Sequence, residues 1–398
     1  MRILQVNVRL SEGGAARVAR TLEIELEKLG HTTSFLYGYG KKGFKSEHHQ
    51  SGIHFKFTSR LTAALNLIVF RLCGRDISIA PWITKKRLLK ILQNFDLVHL
   101  HVIHSYFLDY KILFDAIEHS GLPVVWTIHD QWIVTGRCAQ PGTCQMWRNG
   151  CTTCPNKNAY PPALIDHAAR NFNLKRNSIL SMLVKNKFQL VSCASWLARD
   201  LKLAGFPNVL TVTNSVDWDL QIEITKSKLK PEHSNLFICR DLRDKNKVDW
   251  DLLRQIAEIP NQSLTIVGDN SPFDIPNATF LPSTSDRSLL VSYYKSHKRL
   301  IFTSLVDYYP LTIMEALACG IDVYALKSFA SQEFAKHQNC FLFETPEELL
   351  KTLGEDRIYQ IDLKGSNVNE LFDFTPRRMA LEYDEIYKAM MSDLTPNA

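Results

Sequence analysis

The chain has 398 residues, 45% hydrophobic and 22% charged, with 17 Gly, 16 Pro and 9 Cys. That profile excludes a disordered tail, a collagen-like repeat and a small disulfide scaffold, and at roughly 150 residues per domain it asks for two or three domains. The net charge of +6 conceals an asymmetry: residues 1–200 hold 26 Lys and Arg against 13 Asp and Glu, whereas residues 201–398 hold 21 against 28.

The opening run Met1 to Val8 reads as a strand rather than as a basic region followed by a long apolar core, which predicts a cytoplasmic protein without a signal peptide. The first half then alternates strand and helix: a strand at Ile3–Val8, a helix at Ala15–Leu29, and strands at Ser34–Tyr37, Leu97–His101, Val124–Ile128 and Gln189–Ser192. Between Lys41 and Lys90, basic residues (Lys41, Lys42, Lys45, Lys56, Arg60, Arg71, Arg75, Lys85, Lys86, Arg87) interleave with apolar ones, a pattern suited to an anionic membrane surface or to a solvated helix face. The apolar stretch Leu61–Cys73 is broken by Asn66 and Arg71 and is shorter than the roughly 20 apolar residues of a membrane span.

The second half repeats the scheme, with strands near Leu236–Cys239, Leu264–Gly268, Leu300–Thr303 and Asp322–Ala325, and a helix at Pro376–Met391. Short apolar runs separated by helical patterns imply parallel sheets covered on both faces, hence an α/β protein of two doubly wound domains. Gly205, Pro207, Asn214 and Pro231 punctuate the border. The expected division is 1–213, carrying a Cys-rich loop at 137–155, then 214–375, then a C-terminal helix at 376–398 returning to the first domain.

Ligands of such sheets bind outside the carboxyl ends of the strands. Gly13-Gly14 follow the first strand and open a helix, permitting close backbone approach of an anion, although they do not complete a dinucleotide fingerprint. His129, in Trp126-Thr127-Ile128-His129-Asp130, stands just past a strand and suits a sugar hydroxyl or phosphate. Cys138, Cys144, Cys151 and Cys154 offer four soft donors on one loop, read either as a structural zinc site or as four reduced thiols. The run from Ser304 to Gly320 places Asp307 and Glu315 eight residues apart around a Pro-containing turn. The backbone of Pro310-Leu311-Thr312 there can hold a phosphate.

This last segment resembles the E-x7-E motif of retaining glycosyltransferases of family 4, written here as D-x7-E. Further matches are the Gly13-Gly14 loop, Asp96 to His101, Trp126 to Asp130, Ser192 to Leu197, Asn214 to Asp217 and Leu264 to Gly268. Likeness to the colanic acid and exopolysaccharide biosynthesis glycosyltransferases is closer. It extends to Thr135-Gly136-Arg137-Cys138, the Cys-rich loop, Asp241-Leu242-Arg243 with Lys247, and Asp307 to Leu311.

The resemblance implies the GT-B fold, two facing Rossmann-like doubly wound domains with an interdomain cleft. By that likeness Glu315 would bind the donor ribose, Asp307 would face the transferred sugar, and Lys247 with Arg243 would neutralise the diphosphate. Gly268, Tyr309, Pro310, Leu311 and Thr312 would complete the nucleotide site, His129 would contact the donor sugar, and Gly13-Gly14 would border the phosphates. Two departures stand out: Asp241 occupies the position of a family arginine, and Phe329-Ala330 replace a customary glycine pair.

The implied activity is retaining transfer of a hexose from a nucleotide diphosphate sugar, a UDP-sugar favoured, to a lipid-linked saccharide in exopolysaccharide, capsule or O-antigen synthesis. It would proceed on the inner face of the cytoplasmic membrane, without a catalytic cofactor and without nucleic acid. The competing readings are a nucleotide-sugar epimerase on the same fold, and a nucleic-acid or protein binding module using the Cys-rich loop.

Overall fold

A computed structural model describes residues 1–39, 53–75, 81–158, 160–185, 187–355 and 373–392. Lys41, Lys42 and Lys45 of the basic segment, and positions 393–398 of the expected C-terminal segment, lie outside the described residues. The chain separates into two compact units, Met1–Thr213 with Met379–Ala398, and Asn214–Arg378.

The first unit is built on strands β1 (Arg2–Asn7), β2 (Thr32–Tyr37), β3 (His54–Lys56), β4 (Leu97–Leu100), β5 (Val124–Ile128), β6 (Phe188–Ser192) and β7 (Leu210–Thr211). They pair in parallel in the order β3-β2-β1-β4-β5-β6-β7, with Ile3 opposite Thr33 on one side and Leu97 on the other. Every residue of β4 and β5 is buried. Successive side chains point to opposite faces, so complete burial means that both faces are covered, which is why these strands read as unbroken apolar runs.

The helix Gly14–Lys28 buries Ala16, Val18, Ala19, Leu22 and Leu26, an apolar stripe at helical spacing. At the other end of the chain, helix Pro376–Ser392 buries Met379, Tyr383 and Tyr387 at four-residue intervals. The two tyrosine hydroxyls meet Thr127 Oγ1 at 2.6 Å and His99 Nδ1 at 2.7 Å. From Met379 onward this helix is therefore part of the first unit.

The second unit carries β8 (His233–Asp241), β9 (Leu264–Asp269), β10 (Ala278–Leu281), β11 (His297–Phe302), β12 (Asp322–Leu326) and β13 (Cys340–Phe343), all parallel, in the order β10-β9-β8-β11-β12-β13. Phe237, Leu253, Ile256, Ile266, Tyr324 and Leu349 pack in its core. Helix Trp250–Ala257 starts where the Asp249 carboxylate accepts from the Leu252 N–H at 3.0 Å, satisfying a donor that would otherwise lack a partner.

In both sheets the strand order reverses beside the first strand, at β1/β4 and at β8/β11. Those are the switch points where the loops at the carboxyl ends leave room for a ligand. The short strands β3, β7, β10 and β13 were absent from the sequence reading and prove to be the four sheet edges. No helix of the described residues is long and apolar enough to cross a membrane.

Candidate active site

In the second unit, the loops after β8 and β11 are stitched together. Thr303 Oγ1 donates to the Lys247 carbonyl at 2.6 Å and accepts from Asp249 N–H at 3.3 Å, while Leu305 N–H donates to the Asn246 carbonyl at 3.1 Å. This brings two sequence candidates 60 residues apart into contact: Lys247 Nζ lies 2.7 Å from Asp307 Oδ1, both side chains about a quarter exposed. Burial opposes the Lys247 charge, but Asp307 outweighs it and holds the ammonium pKa above its ordinary value.

Helix Leu311–Ala318 begins directly after this pair. Its N-cap position is Pro310, which supplies no side-chain cap, so its first N–H groups face outward at the positive end of the helix dipole, ready for an anion. Tyr309 is buried against Phe334, ring centroids 4.7 Å apart. Glu315 is buried on the same helix and accepts a hydrogen bond from the Tyr294 hydroxyl at 2.8 Å. Tyr294 escaped the sequence reading, because no spacing rule links it to position 315. The Cys319 thiol, half-buried and close to Glu315, is pushed up to about 12, chiefly by desolvation.

Gly268, the next-to-last residue of β9, lies so close to β8 that an added Cβ would clash with the Cys239 carbonyl oxygen. Arg243, by contrast, turns back on Asp241 in a two-point pair at 2.9 and 2.8 Å, both groups exposed. Hydrogen bonds from Arg243 hold the Asp241 carboxyl at about 2. Asp241 thus occupies Arg243 rather than substituting for an arginine.

In the first unit, Gly13 precedes the helix Gly14–Lys28 with φ of 99°, a left-handed conformation that glycine alone adopts freely. His129 follows β5, and its Nε2 lies 3.1 Å from Nδ1 of His101. Burial lowers the His129 pKa to about 4, leaving the ring neutral. Asp130 is occupied: it accepts from Trp132 N–H at 2.9 Å and faces His104 Nε2 at 2.8 Å. Burial would raise its pKa, but these partners hold it below the usual carboxylate range.

Cys138, Cys144, Cys151 and Cys154 line one small pocket with Trp147 and Met146. Gly136 N–H donates to Cys151 Sγ at 3.2 Å and the Arg137 guanidinium donates to Cys154 Sγ at 3.1 Å. Burial pushes the Cys138 thiol up to about 11. The soft donor set suits zinc chemically, whereas among the described residues no three His, Cys, Asp or Glu side chains are grouped so as to hold a metal ion.

The model of Glycosyltransferase Family 4 matches residues 12–220. A protein of Escherichia coli (strain K12) named as a colanic acid biosynthesis glycosyl transferase, WcaC, is 33% identical over 374 residues, covering 91% of this chain and 89% of its own. Among solved structures, an α,α-trehalose-phosphate synthase (UDP-forming) from Burkholderia vietnamiensis has a TM-score of 0.62 at 11% identity, covering 98% of this chain and 100% of its own. Anabaena HepE, solved in complex with UDP and glucose, has a TM-score of 0.57 at 14% identity over 99% of both chains. With two doubly wound parallel sheets and D-x7-E at the second switch point, the chain belongs to glycosyltransferase family 4, with the GT-B fold.

Proposed function

We propose that this glycosyltransferase moves a hexose, with retention of configuration, from a UDP-sugar to a lipid-linked saccharide in the assembly of an exopolysaccharide of the colanic acid kind. The observation that carries this reading is the grouping of Lys247, Asp307 and the uncapped start of helix Leu311–Ala318, with Glu315 on that same helix. A departing nucleoside diphosphate develops negative charge, and a cation beside preorganised N–H groups stabilises it. Lys247 would exchange its bond to Asp307 for the diphosphate, the backbone of Pro310 to Thr312 would hold a phosphate, and Glu315 would accept from the ribose hydroxyls. Asp307, released from the ammonium, would face the transferred sugar. The leaving phosphate would take the acceptor's proton as attack proceeds on the front face. The relative named for colanic acid biosynthesis supports the product class.

The helix Arg60–Cys73 supports action at a membrane surface. Leu61, Leu65, Ile68 and Leu72 recur at helical spacing and are exposed, 71% in the case of Leu61, with Arg60 and Arg71 on the same helix. An apolar stripe with basic neighbours suits an anionic leaflet.

The reading is tested by thermal unfolding with UDP-, GDP-, ADP- and dTDP-sugars in EDTA, because a ligand that binds only the folded state raises its apparent stability. A UDP-sugar is expected to raise Tm. A shift by another base alone corrects the donor, and no shift with any of them counts against the donor site.

A further inference from the structure

The histidine after β5 sits at the end of a buried chain of hydrogen bonds. Gln5 on β1 and His101 just past β4 are fully or nearly fully buried. Gln5 Oε1 lies 2.9 Å from His101 Nε2, and His101 Nδ1 lies 3.1 Å from His129 Nε2. The Gln5 NH2 group, although buried, has no partner among the described residues. An amide oxygen only accepts, so His101 donates from Nε2 to Gln5 Oε1.

Both rings are neutral, since burial lowers His101 well below its ordinary value and His129 to about 4. A neutral imidazole that donates at one nitrogen accepts at the other. His101 Nδ1 therefore accepts from His129 Nε2–H, and the lone pair of His129 remains on Nδ1, which bonds to no described residue. The surroundings keep this direction. The His99 ring packs on His101 with centroids 4.1 Å apart, and its own nitrogens are engaged by Thr127 and Tyr387. His104 and Asp130 pair with each other.

We propose that Gln5 and His101 are positioning residues that fix His129 as the Nε2–H tautomer, presenting Nδ1 as an acceptor for a sugar hydroxyl. The sugar contact rests on the function proposed above, whereas the tautomer does not.

The test is nitrogen-15 NMR of the full chain labelled at histidine, without ligand, with the His129 signal assigned by its loss in His129→Asn. The expected spectrum shows a protonated Nε2 and a bare Nδ1. Gln5→Met, which keeps the volume and removes the acceptor, should mix the two tautomers and lower kcat/KM for UDP-glucose about tenfold; Gln5→Glu should restore the wild-type signature. Protonated Nδ1 in the wild type, or an unchanged signature in Gln5→Met, overturns the proposal. The expected spectrum in a protein that turns over no nucleotide sugar upholds the positioning and overturns the reading of function.

Discussion

Lys247 and Asp307 form the contact on which the proposed donor site turns, and each constrains the other. An ammonium held by one carboxylate is positioned and charged, yet the pair is still about a quarter exposed and can open to a diphosphate. Lys247→Ala should lower kcat/KM by about 10- to 100-fold, the range expected for losing a charge-assisted hydrogen bond in the transition state. Steady-state kinetics on a folded variant checks it. Glu315→Gln keeps an oxygen for the Tyr294 hydroxyl, so its Tm should stay within a few degrees of wild type while donor turnover falls by a similar factor. Near-normal turnover would remove Glu315 from the ribose. Gly268→Ala forces a methyl against the Cys239 carbonyl and should cost about 1–3 kcal/mol in urea unfolding.

At this scale the motif residues Asp307, Glu315 and Lys247 were legible, because their order in the chain carries the resemblance. Tyr294, Gln5 and the role of Asp241 were not, because each depends on a contact between distant strands or on the direction of a turn. The alternation in His99-Leu100-His101 was the one local signal that two imidazoles share a sheet face.

Among the elements, the central strands were readable and the edges were not, for a physical reason. A strand buried on both faces leaves an apolar run, whereas β3 and β10 are short and only partly covered and β7 is two exposed residues. β13, Cys-Phe-Leu-Phe, is apolar but has only four residues, too few for periodicity to distinguish it from a helical turn. The basic segment from Lys41 to Lys90 reads equally as a membrane face or a solvated one, and within it the exposed leucines of the helix Arg60–Cys73 support the first. Leu65→Glu with Ile68→Glu should abolish sedimentation with vesicles containing phosphatidylglycerol while leaving Tm unchanged, since both side chains are exposed. Retained binding would show that this helix is not the anchor. For the Cys-rich loop, the structural-zinc and reduced-thiol readings are separated by metal analysis of protein prepared without chelator: about one zinc per chain supports the first, and a metal-free folded protein supports the second.

For the whole molecule, stability should fall on mild acidification. Burial lowers the pKa of His99 to about 3 and those of His54, His129 and His297 to about 4, against 6.5 for an ordinary histidine. These groups bind protons in the unfolded chain before they do so in the folded one. Their contribution is thus complete above pH 6.5 and is lost as pH falls toward 4. The urea midpoint should be lower at pH 5 than at pH 7, and a flat profile would contradict the burial of these rings.

The division of the chain also sets an order of manufacture. Residues 214–378 interrupt the first unit, whose Tyr383 and Tyr387 emerge from the ribosome only after that whole insertion has been made. Until then Thr127 and His99, on the completed strands of the nascent sheet, lack their hydroxyl partners. The first unit is therefore completed only after the second has been made, reversing the usual sequence in which domains mature in chain order.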